Sequence, residues 1–316
     1  MSDPAPSYPP PRLDYTKALA EGVGVFRRFP LVPVAGIPLM EPIAQQWGPI
    51  ATFRARPDDL LIATYPKSGT TWMQEIVDLV LCGADEAWAQ RAPTHVRSPF
   101  LEICSPPPIP SGVQQLEQTP PPRVIKTHLP VQLVPESFWD NDCKVIYVAR
   151  NPKDTVVSYY FFDQMNKTQP EPGPWPAYLQ RFMRGELAWG SWYDHVCGYW
   201  AAREQRRILY VFYEDMKEDP GREVQKVASF LGAALSSEVL ARVIQLSSFA
   251  AMRDNPMANY SSVPHTLLDP AISPFLRRGE VGDWKNHFTV AQNEAFDAHY
   301  QNRMAGPGVP HFRSQV

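Results

Sequence analysis

The chain has 316 residues, a formal net charge of −3 and 44% hydrophobic residues. This size and composition allow a large buried core and argue against disorder over most of the chain. The weakly acidic balance argues against a general nucleic-acid-binding protein, although it allows a local basic pocket. No run of 18 apolar residues occurs, so the sequence predicts no membrane-spanning helix and no membrane partner.

Prolines and cysteines indicate the organisation of the chain. Of the 35 prolines, many cluster in residues 1–12, 105–122 and 169–176. We predict a disordered proline-rich tail over 1–12, a long ordered or semi-ordered loop over 105–122, and a single domain over 13–316. The tail lacks the apolar stretch of a secretory signal. The four cysteines form no CxxC pair, which predicts reduced thiols and a cytoplasmic location.

Four short apolar runs predict buried strands, at residues 60–65, 123–127, 144–149 and 208–213. They alternate with helical patterns, which is typical of an α/β fold whose central, mostly parallel sheet is flanked by helices. A stripe from Trp72 to Val80 predicts a helix after the first run, and Asn151-Pro152 is a good start for a helix after the third. Further helices are predicted near residues 176–184, 192–204, 221–231 and 236–246.

The strongest local signal is the segment YPKSGTTW at residues 65–72, between a predicted strand and a predicted helix. Small residues around Gly69 let backbone N–H groups converge on an anion at the helix N-terminus. Lys67 adds a positive charge, and Ser68, Thr70 and Thr71 add hydroxyl donors. The segment departs from a Walker A loop because its lysine precedes its only glycine.

Further cationic residues follow the other predicted strands. Lys126 and His128 end the second strand, where ligands of open α/β sheets bind, and a neutral His128 is suited to act as a general base. Arg150 ends the third strand and is suited to bind a phosphate, the alternative being a surface ion pair with Asp154. The adjacent residues Arg277, Arg278 and Gly279 are also suited to bind a phosphate. The alternative is that the two arginines are only solvated, as such pairs often are.

A nucleotide kinase is the main alternative on this pattern. Such an enzyme holds Mg²⁺ with an aspartate at a strand end. The first three strand ends carry basic groups, and only the fourth is followed by acids, Glu214 and Asp215. The cleft is therefore expected to be cationic and suited to an anionic donor that needs no metal.

Several motifs in order resemble one known family. They are TYPKSGTTW, RAP, PFLE, KTHLP, YVARNPKD, VSYY, FYEDM, NPMANY and RRGEVGDWKNHFTVAQNE. From about Arg28 to its end, the chain resembles the cytosolic sulfotransferases, most closely the phenol-type group. The resemblance implies one α/β domain with a fold like that of nucleotide kinases, which binds 3′-phosphoadenosine 5′-phosphosulfate (PAPS) and releases the desulfated product PAP.

The resemblance implies roles for the donor-side residues. The 5′-phosphosulfate would be bound by Lys67, Ser68, Gly69, Thr70 and Thr71. The adenine would lie near Trp72, Tyr213, Ser247 and Phe249, with a serine at 247 where the family leads us to expect threonine. The 3′-phosphate would be held by Arg150, Ser158, Arg277, Arg278 and Gly279.

The implied reaction is in-line transfer of a sulfonate group to a phenol hydroxyl. His128 would accept the phenolic proton, with Lys67 and Lys126 stabilising the developing negative charge and Ser158 completing the catalytic set. A preference for steroid alcohols or for amines, and a nucleotide-binding protein without turnover, remain as alternatives.

The acceptor pocket is expected to be aromatic. By resemblance it would contain Phe100, Phe162, Tyr260 and Phe275. Core packing is the alternative for each of these aromatics, and it is nearly as strong for Phe162 and Phe275. Four further positions match the pocket but replace the expected aromatic or histidine, namely Ile43, Ile103, Gln169 and Leu267. The segment 85–99 and the proline loop after Cys104 would cover the acceptor as a lid.

The segment KNHFTVAQNE at residues 285–294 fits the family's KxxxTVxxxE dimer motif. We expect it to pair antiparallel with its twin across a two-fold axis to give a homodimer. The residues concerned are Lys285, Thr289, Val290 and Glu294. The alternative is an ordinary loop that leads into the last helix.

Overall fold

The structure is a computed structural model that describes residues 15–315. The predicted tail over 1–12 lies outside these residues. The described range contains six strands: β1 Leu31–Val34, β2 Ile37–Met40, β3 Leu60–Thr64, β4 Val124–Thr127, β5 Lys144–Ala149 and β6 Ile208–Phe212. The same range holds sixteen α-helices, none of which is long and apolar enough to cross a membrane.

The first eight helices are α1 Tyr15–Glu21, α2 Glu41–Gln45, α3 Trp47–Ala51, α4 Thr70–Leu81, α5 Glu86–Ala89, α6 Thr94–Arg97, α7 Gly112–Gln118 and α8 Ser137–Asp140. The other eight are α9 Pro152–Met165, α10 Trp175–Arg184, α11 Trp192–Ala202, α12 Tyr213–Glu218, α13 Pro220–Leu231, α14 Ser237–Leu246, α15 Phe249–Asp254 and α16 Val290–Arg303. Short 3₁₀ turns span Val23–Val25, Val131–Leu133 and Asp283–Asn286.

The central sheet is parallel, with strand order β4-β3-β5-β6. Successive residues of β3 enter opposite hydrophobic cores: Leu61 packs in one cluster, and Leu60 and Ile62 pack in the other. Both faces of the sheet are therefore covered, as continuous apolar strands require. The predicted α/β fold with a parallel sheet flanked by helices is confirmed.

Three features differ from the sequence-based expectation. β1 and β2 form an unpredicted antiparallel hairpin that pairs Leu31 with Met40. The expected proline loop over 105–122 contains α7, whose capping box joins Ser111 and Gln114. The fourth strand ends at Phe212 because α12 begins at the next residue.

The carboxyl ends of β3, β4 and β5 lie along one edge of the sheet, where the C-terminal segment also packs. Asn151 caps α9 by accepting a hydrogen bond from the Asp154 N–H. The Asp154 carboxylate in turn accepts hydrogen bonds from the backbone N–H groups of Gly282 (2.8 Å) and Trp284 (3.0 Å). This holds the segment that contains Arg277 beside the end of β5.

A buried ion pair joins β4 to the start of β3. Arg123 donates to Asp59 through Nε (2.8 Å) and a terminal nitrogen (2.5 Å), and both side chains are almost fully buried. Arg123→Met should lower the free energy of unfolding by about 3–5 kcal/mol, because it leaves the Asp59 carboxylate buried without its partner. Urea unfolding measures the change. Arg184 forms an exposed ion pair with Glu186, so Arg184→Met should lower the free energy of unfolding far less, and equal effects of the two substitutions would contradict the prediction.

Candidate active site

A cavity of about 270 Å³ lies at the carboxyl ends of the strands. It brings together all four residues predicted to be catalytic, namely Lys67, Lys126, His128 and Ser158. Every predicted donor-side residue except Ser68 also lines it: Gly69, Thr70, Thr71, Trp72, Arg150, Tyr213, Ser247, Phe249, Arg277, Arg278 and Gly279. Ser68 is fully buried.

The anion-binding loop, residues 65–69 between β3 and α4, depends on Gly69. This residue has a φ of +102°, and a Cβ there would lie 2.8 Å from the ring of Tyr213. Only glycine fits both the backbone conformation and this close approach. The turn places the first backbone N–H groups of the 12-residue α4 at the cavity, where the helix dipole favours an anion.

Hydrogen bonds and aromatic contacts fix the position of His128. Its Nδ1 lies 2.8 Å from the Thr64 carbonyl oxygen, so Nδ1–H donates there and Nε2 keeps its lone pair. Its backbone N–H donates to Glu102 at 2.7 Å. The ring lies edge-on to Phe100 and Trp189, with centroids 5.0 and 5.2 Å away. Burial and the charge of Lys126 hold the pKa of His128 well below its usual range, so the imidazole is neutral.

Two lysines lie in the same cavity. Lys67 Nζ lies 4.5 Å from the Phe162 ring centroid and 4.4 Å from that of Phe275. Burial, with the charge of Lys126 and two arginines nearby, lowers the pKa of Lys67 to about 7. Lys126 Nζ lies 4.3 Å from the Phe100 centroid, and burial lowers the pKa of Lys126 to about 8. The cavity therefore favours a bound anion, because its negative charge stabilises the protonated, positively charged form of both lysines.

The arginines form a second cationic group. Arg150 does not pair with Asp154; it donates to the carbonyl oxygens of Glu280 (2.9 Å) and Lys67 (3.3 Å). Arg277 pairs closely with Asp283 (2.5 Å), and the more exposed Arg278 lies 3.9 Å from the same carboxylate. Gly279 has a φ of +67°, and a Cβ there would collide with the ring of Phe249.

Unpartnered polar atoms indicate what the cavity is built to hold. Ten buried side-chain atoms have no hydrogen-bond partner within residues 15–315, and four of them belong to predicted donor-side residues: Ser68 Oγ, Trp72 Nε1, Arg150 Nε and Arg277 Nε. Buried polar groups are normally satisfied, and these belong to the loop, the aromatic wall and the arginine group. In the aromatic wall, the ring of Trp72 packs edge-on against that of Tyr213, with centroids 5.4 Å apart. A ligand with phosphate groups and an aromatic base fits this arrangement.

Ser247 lines the cavity without offering its hydroxyl proton to a ligand. Its Oγ lies 2.7 Å from the Val243 carbonyl oxygen, one turn back in α14, so the hydroxyl donates there. The oxygen lone pairs remain available as acceptors.

The predicted acceptor residues divide into two groups. Seven line the cavity, namely Phe100, Ile103, Phe162, Gln169, Tyr260, Leu267 and Phe275. Ile43 does not, because it is fully buried in the core cluster that contains Leu39. Sequence reasoning missed other residues of the cavity wall, among them Met40 and Trp189.

His95 is a further lining residue that was not predicted. Its ring packs against Tyr260 (5.5 Å) and Tyr15 (6.0 Å), and its Nε2 is buried without a partner in the described part of the chain. Burial lowers its pKa to about 4, so it is neutral. The one sequence signal for His95 was its position in the segment 85–99, which was expected to cover the acceptor.

The segment 85–99 is firmly joined to α4. Arg97 forms buried ion pairs with Glu75 and Asp78, and Arg91 also pairs with Asp78. Thr94 donates to Glu75 at 2.7 Å. These contacts fix the wall that carries His95 relative to the anion-binding loop.

The acids after β6 face away from the cavity. The Glu214 carboxylate accepts hydrogen bonds from the backbone and side-chain nitrogens of Asn151, both at 2.9 Å. Across residues 15–315, no group of three or more His, Cys, Asp or Glu residues is placed to hold a metal ion. These positions do not provide the strand-end acid of the kinase alternative.

The predicted dimer segment lies on the surface. Lys285 is in the 3₁₀ turn before α16, Thr289 caps that helix, and Glu294 is exposed on its first turns. Val290 is 76% exposed, more than the other exposed large aliphatic side chains, Leu81 (53%) and Ile272 (45%).

Comparisons with known proteins define the class. The family model described as "Sulfotransferase domain" matches residues 57–308. Sulfotransferase 1C2 of Rattus norvegicus is 53% identical over 283 residues, which cover 90% of this chain and 95% of the relative. Sulfotransferase 1A1 of the same species is 52% identical over 88% of this chain and 96% of the relative. The chain belongs to the sulfotransferase family and is a sulfotransferase, as the motifs predicted.

Solved structures agree with this assignment. The crystal structure of mouse sulfotransferase SULT7A1, which is complexed with PAP, matches with a TM-score of 0.72 and 30% identity over 88% of this chain and 95% of that one. A retinol dehydratase complex with retinol and PAP matches with a TM-score of 0.81 at 23% identity, covering 96% and 98% of the two chains. The second likeness supports the fold.

Proposed function

We propose that this sulfotransferase transfers a sulfonate group from PAPS to the hydroxyl of a small phenolic acceptor. The observation that carries the proposal is one cavity in which a neutral, buried His128 lies between a cationic anion-binding loop and a chamber of aromatic rings. The mouse relative crystallised with PAP supports the choice of donor.

PAPS would be bound by the cationic side chains of the cavity and by its buried N–H and O–H groups that have no hydrogen-bond partner within residues 15–315. The anion-binding loop and Lys67 would hold the 5′-phosphosulfate, Trp72 and Phe249 the adenine, and the arginine group with Ser158 the 3′-phosphate. Bound PAPS supplies a sulfonate group on a phosphate leaving group. Contacts remote from the reacting atoms contribute positioning.

The acceptor side supplies the base. His128 Nε2 would accept the proton of the acceptor hydroxyl, since Nδ1–H is committed to Thr64. We infer in-line transfer, with His128 on the acceptor side and the anion-binding loop on the leaving-group side. Lys67 and Lys126 would stabilise the negative charge that develops between the two sides.

A labelled-donor assay tests this function. Purified protein receives sulfur-labelled PAPS and a small phenol without added metal, and a parallel sample receives labelled ATP and Mg²⁺. We expect label on the phenol only in the first sample. Binding of PAP without transfer to phenols, steroid alcohols or amines would favour a protein without turnover, and phosphoryl transfer from ATP would favour a kinase.

The pKa values of the two lysines predict that PAP binding takes up protons. At pH 8 Lys67 is mostly neutral in the free protein because its pKa is about 7, and bound anions favour its charged form. Affinity for PAP should therefore fall as the pH rises above 7. Calorimetry at pH 8 in buffers of different protonation enthalpy measures the uptake. Lys67→Met should remove most of one proton from it, and equal uptake in both proteins would contradict the assignment.

We also propose a single domain over 13–316, a cytoplasmic location and a homodimer formed through Lys285, Thr289, Val290 and Glu294. Four free cysteines support a reducing compartment. The exposure of Val290 beside charged residues supports the interface.

Val290→Glu should convert the dimer to a monomer, because it places a charge at the apolar centre of a small interface. Sedimentation velocity over a range of concentrations measures the change. Leu81, another exposed aliphatic residue, provides the control Leu81→Glu, which should leave the dimer intact. A wild-type protein that is monomeric at all concentrations would contradict the proposed interface.

A further inference from the structure

A buried hydroxyl connects the anion-binding loop to His128. Thr64, the last residue of β3, is fully buried. Its Oγ1 lies 2.7 Å from Thr70 Oγ1 at the start of α4 and 3.1 Å from His128 Nδ1. Its carbonyl oxygen lies 2.8 Å from the same Nδ1. One residue thus contacts both functional halves of the cavity.

The direction of these hydrogen bonds follows from the protons available. Nδ1–H of a neutral His128 donates to the two oxygens of Thr64, which leaves Nε2 as the base. The single hydroxyl proton of Thr64 is then free to donate to Thr70 Oγ1. The hydroxyl proton of Thr70 remains for a ligand in the cavity that this residue lines.

We propose that Thr64 is a positioning residue whose hydroxyl transmits occupancy of the anion-binding loop to the ring of His128. A phosphate oxygen that accepts the Thr70 hydroxyl polarises the Thr64 hydroxyl, which then accepts more strongly from Nδ1–H. The base is thereby oriented and made more basic when the donor is in place. This inference rests on the proposed function, because it takes His128 as the base and Thr70 as a contact of the bound anion.

The effect of the charges around His128 must be distinguished from the effect of this hydrogen-bond chain from Thr70 through Thr64 to His128, the relay. Lys126, Lys67 and His195 act on the ring through space, and Glu102 accepts from the backbone N–H of His128. A bound anion offsets the two lysine charges whether or not the Thr64 hydroxyl is present. The relay is therefore the part of the response that disappears with that hydroxyl.

Thr64→Val removes the hydroxyl and keeps the shape, and Thr64→Ser restores it. The imidazole signals of His128 are titrated by NMR with and without PAP in each protein. We expect PAP to raise the titration midpoint of His128 in all of them, but less in Thr64→Val. The kcat of Thr64→Val should fall about three- to tenfold, with its acid limb moved to lower pH, while the Kd for PAP stays within threefold. Thr64→Ser should match the wild type.

Thr155 provides a matched control. It is also a fully buried threonine, and its hydroxyl donates to the Asn151 carbonyl oxygen within α9. Thr155→Val should leave the response of His128 to PAP unchanged. If Thr64→Val does not fold, Thr64→Ala replaces it in the same titration.

An equal PAP-induced shift in wild type and in the variant without the hydroxyl would overturn the relay, as would a Thr64→Ser protein that behaves like Thr64→Val. A wild-type His128 that does not respond to PAP would also overturn it. Failure of the proposed function is recognised separately, since the wild-type enzyme would then transfer no sulfonate from PAPS.

Discussion

His128→Gln should lower kcat for sulfonate transfer by about 10²- to 10⁴-fold while leaving the affinity for PAP within a few-fold. Gln keeps a polar side chain of similar size but cannot accept a proton at neutral pH. The imidazole it replaces has its Nδ1–H committed to Thr64, so only Nε2 is available as a base. Steady-state assays with saturating PAPS and equilibrium binding of PAP measure the two quantities.

The pH profile gives this prediction a second test. Because burial holds the pKa of His128 well below its usual range, the base is already deprotonated at neutral pH in the free enzyme. The acid limb of kcat/KM should therefore lie below the value expected for an ordinary histidine and be absent in His128→Gln. The exposed His311 supplies the control His311→Gln, which should retain full activity. Near-wild-type kcat in His128→Gln would exclude this residue as the base.

The central strands that position the site, β3 and β5, were predictable because they are buried on both faces. Residues 60–63 form a continuous apolar run, as is typical of a strand buried on both faces, and the β-branched Ile62 and Thr64 favour a strand. The hairpin of β1 and β2 was missed because Pro33 and Pro38 argue against strands. Both are tolerated because this two-stranded sheet needs few ladder hydrogen bonds.

The anion-binding loop was predictable because its function is local. Backbone N–H groups, one lysine and three hydroxyls lie within six residues, so their convergence needs no tertiary information. The helix α7 was hidden for the opposite reason. Its capping box is also local, but the surrounding prolines obscured the signal from Ser111 and Gln114.

The acceptor wall depends on tertiary contacts that sequence patterns do not contain. His95 reaches the cavity because it packs against Tyr15 and Tyr260, which are distant in the chain. Ile43 matches a pocket position by resemblance, yet its side chain enters the core beside Leu39. Matching a position predicts where the backbone runs, whereas packing decides which way the side chain points.

Lys67→Met is expected to lower kcat by about 10²- to 10³-fold, the usual effect of removing one preorganised donor to a developing anion. Met fills the space of the lysine stem between the rings of Phe162 and Phe275 but carries no charge. Lys67 is buried near Lys126, Arg150 and Arg277, so its removal relieves repulsion in the free protein. The variant should therefore unfold at the same temperature as the wild type or higher when PAP is absent.

This opposite response separates a catalytic role from a structural one. A side chain kept for packing would lower stability and activity together, whereas Lys67→Met should lose activity and keep its stability. Thermal unfolding and kcat are measured on the same preparation, with Lys226→Met as the control. The half-exposed Lys226 shares the buried Glu223 carboxylate with Arg222, which remains as its cationic partner, so this change should affect neither quantity appreciably. A Lys67→Met enzyme with near-wild-type kcat would show that the charge at this position does not stabilise the transferring group.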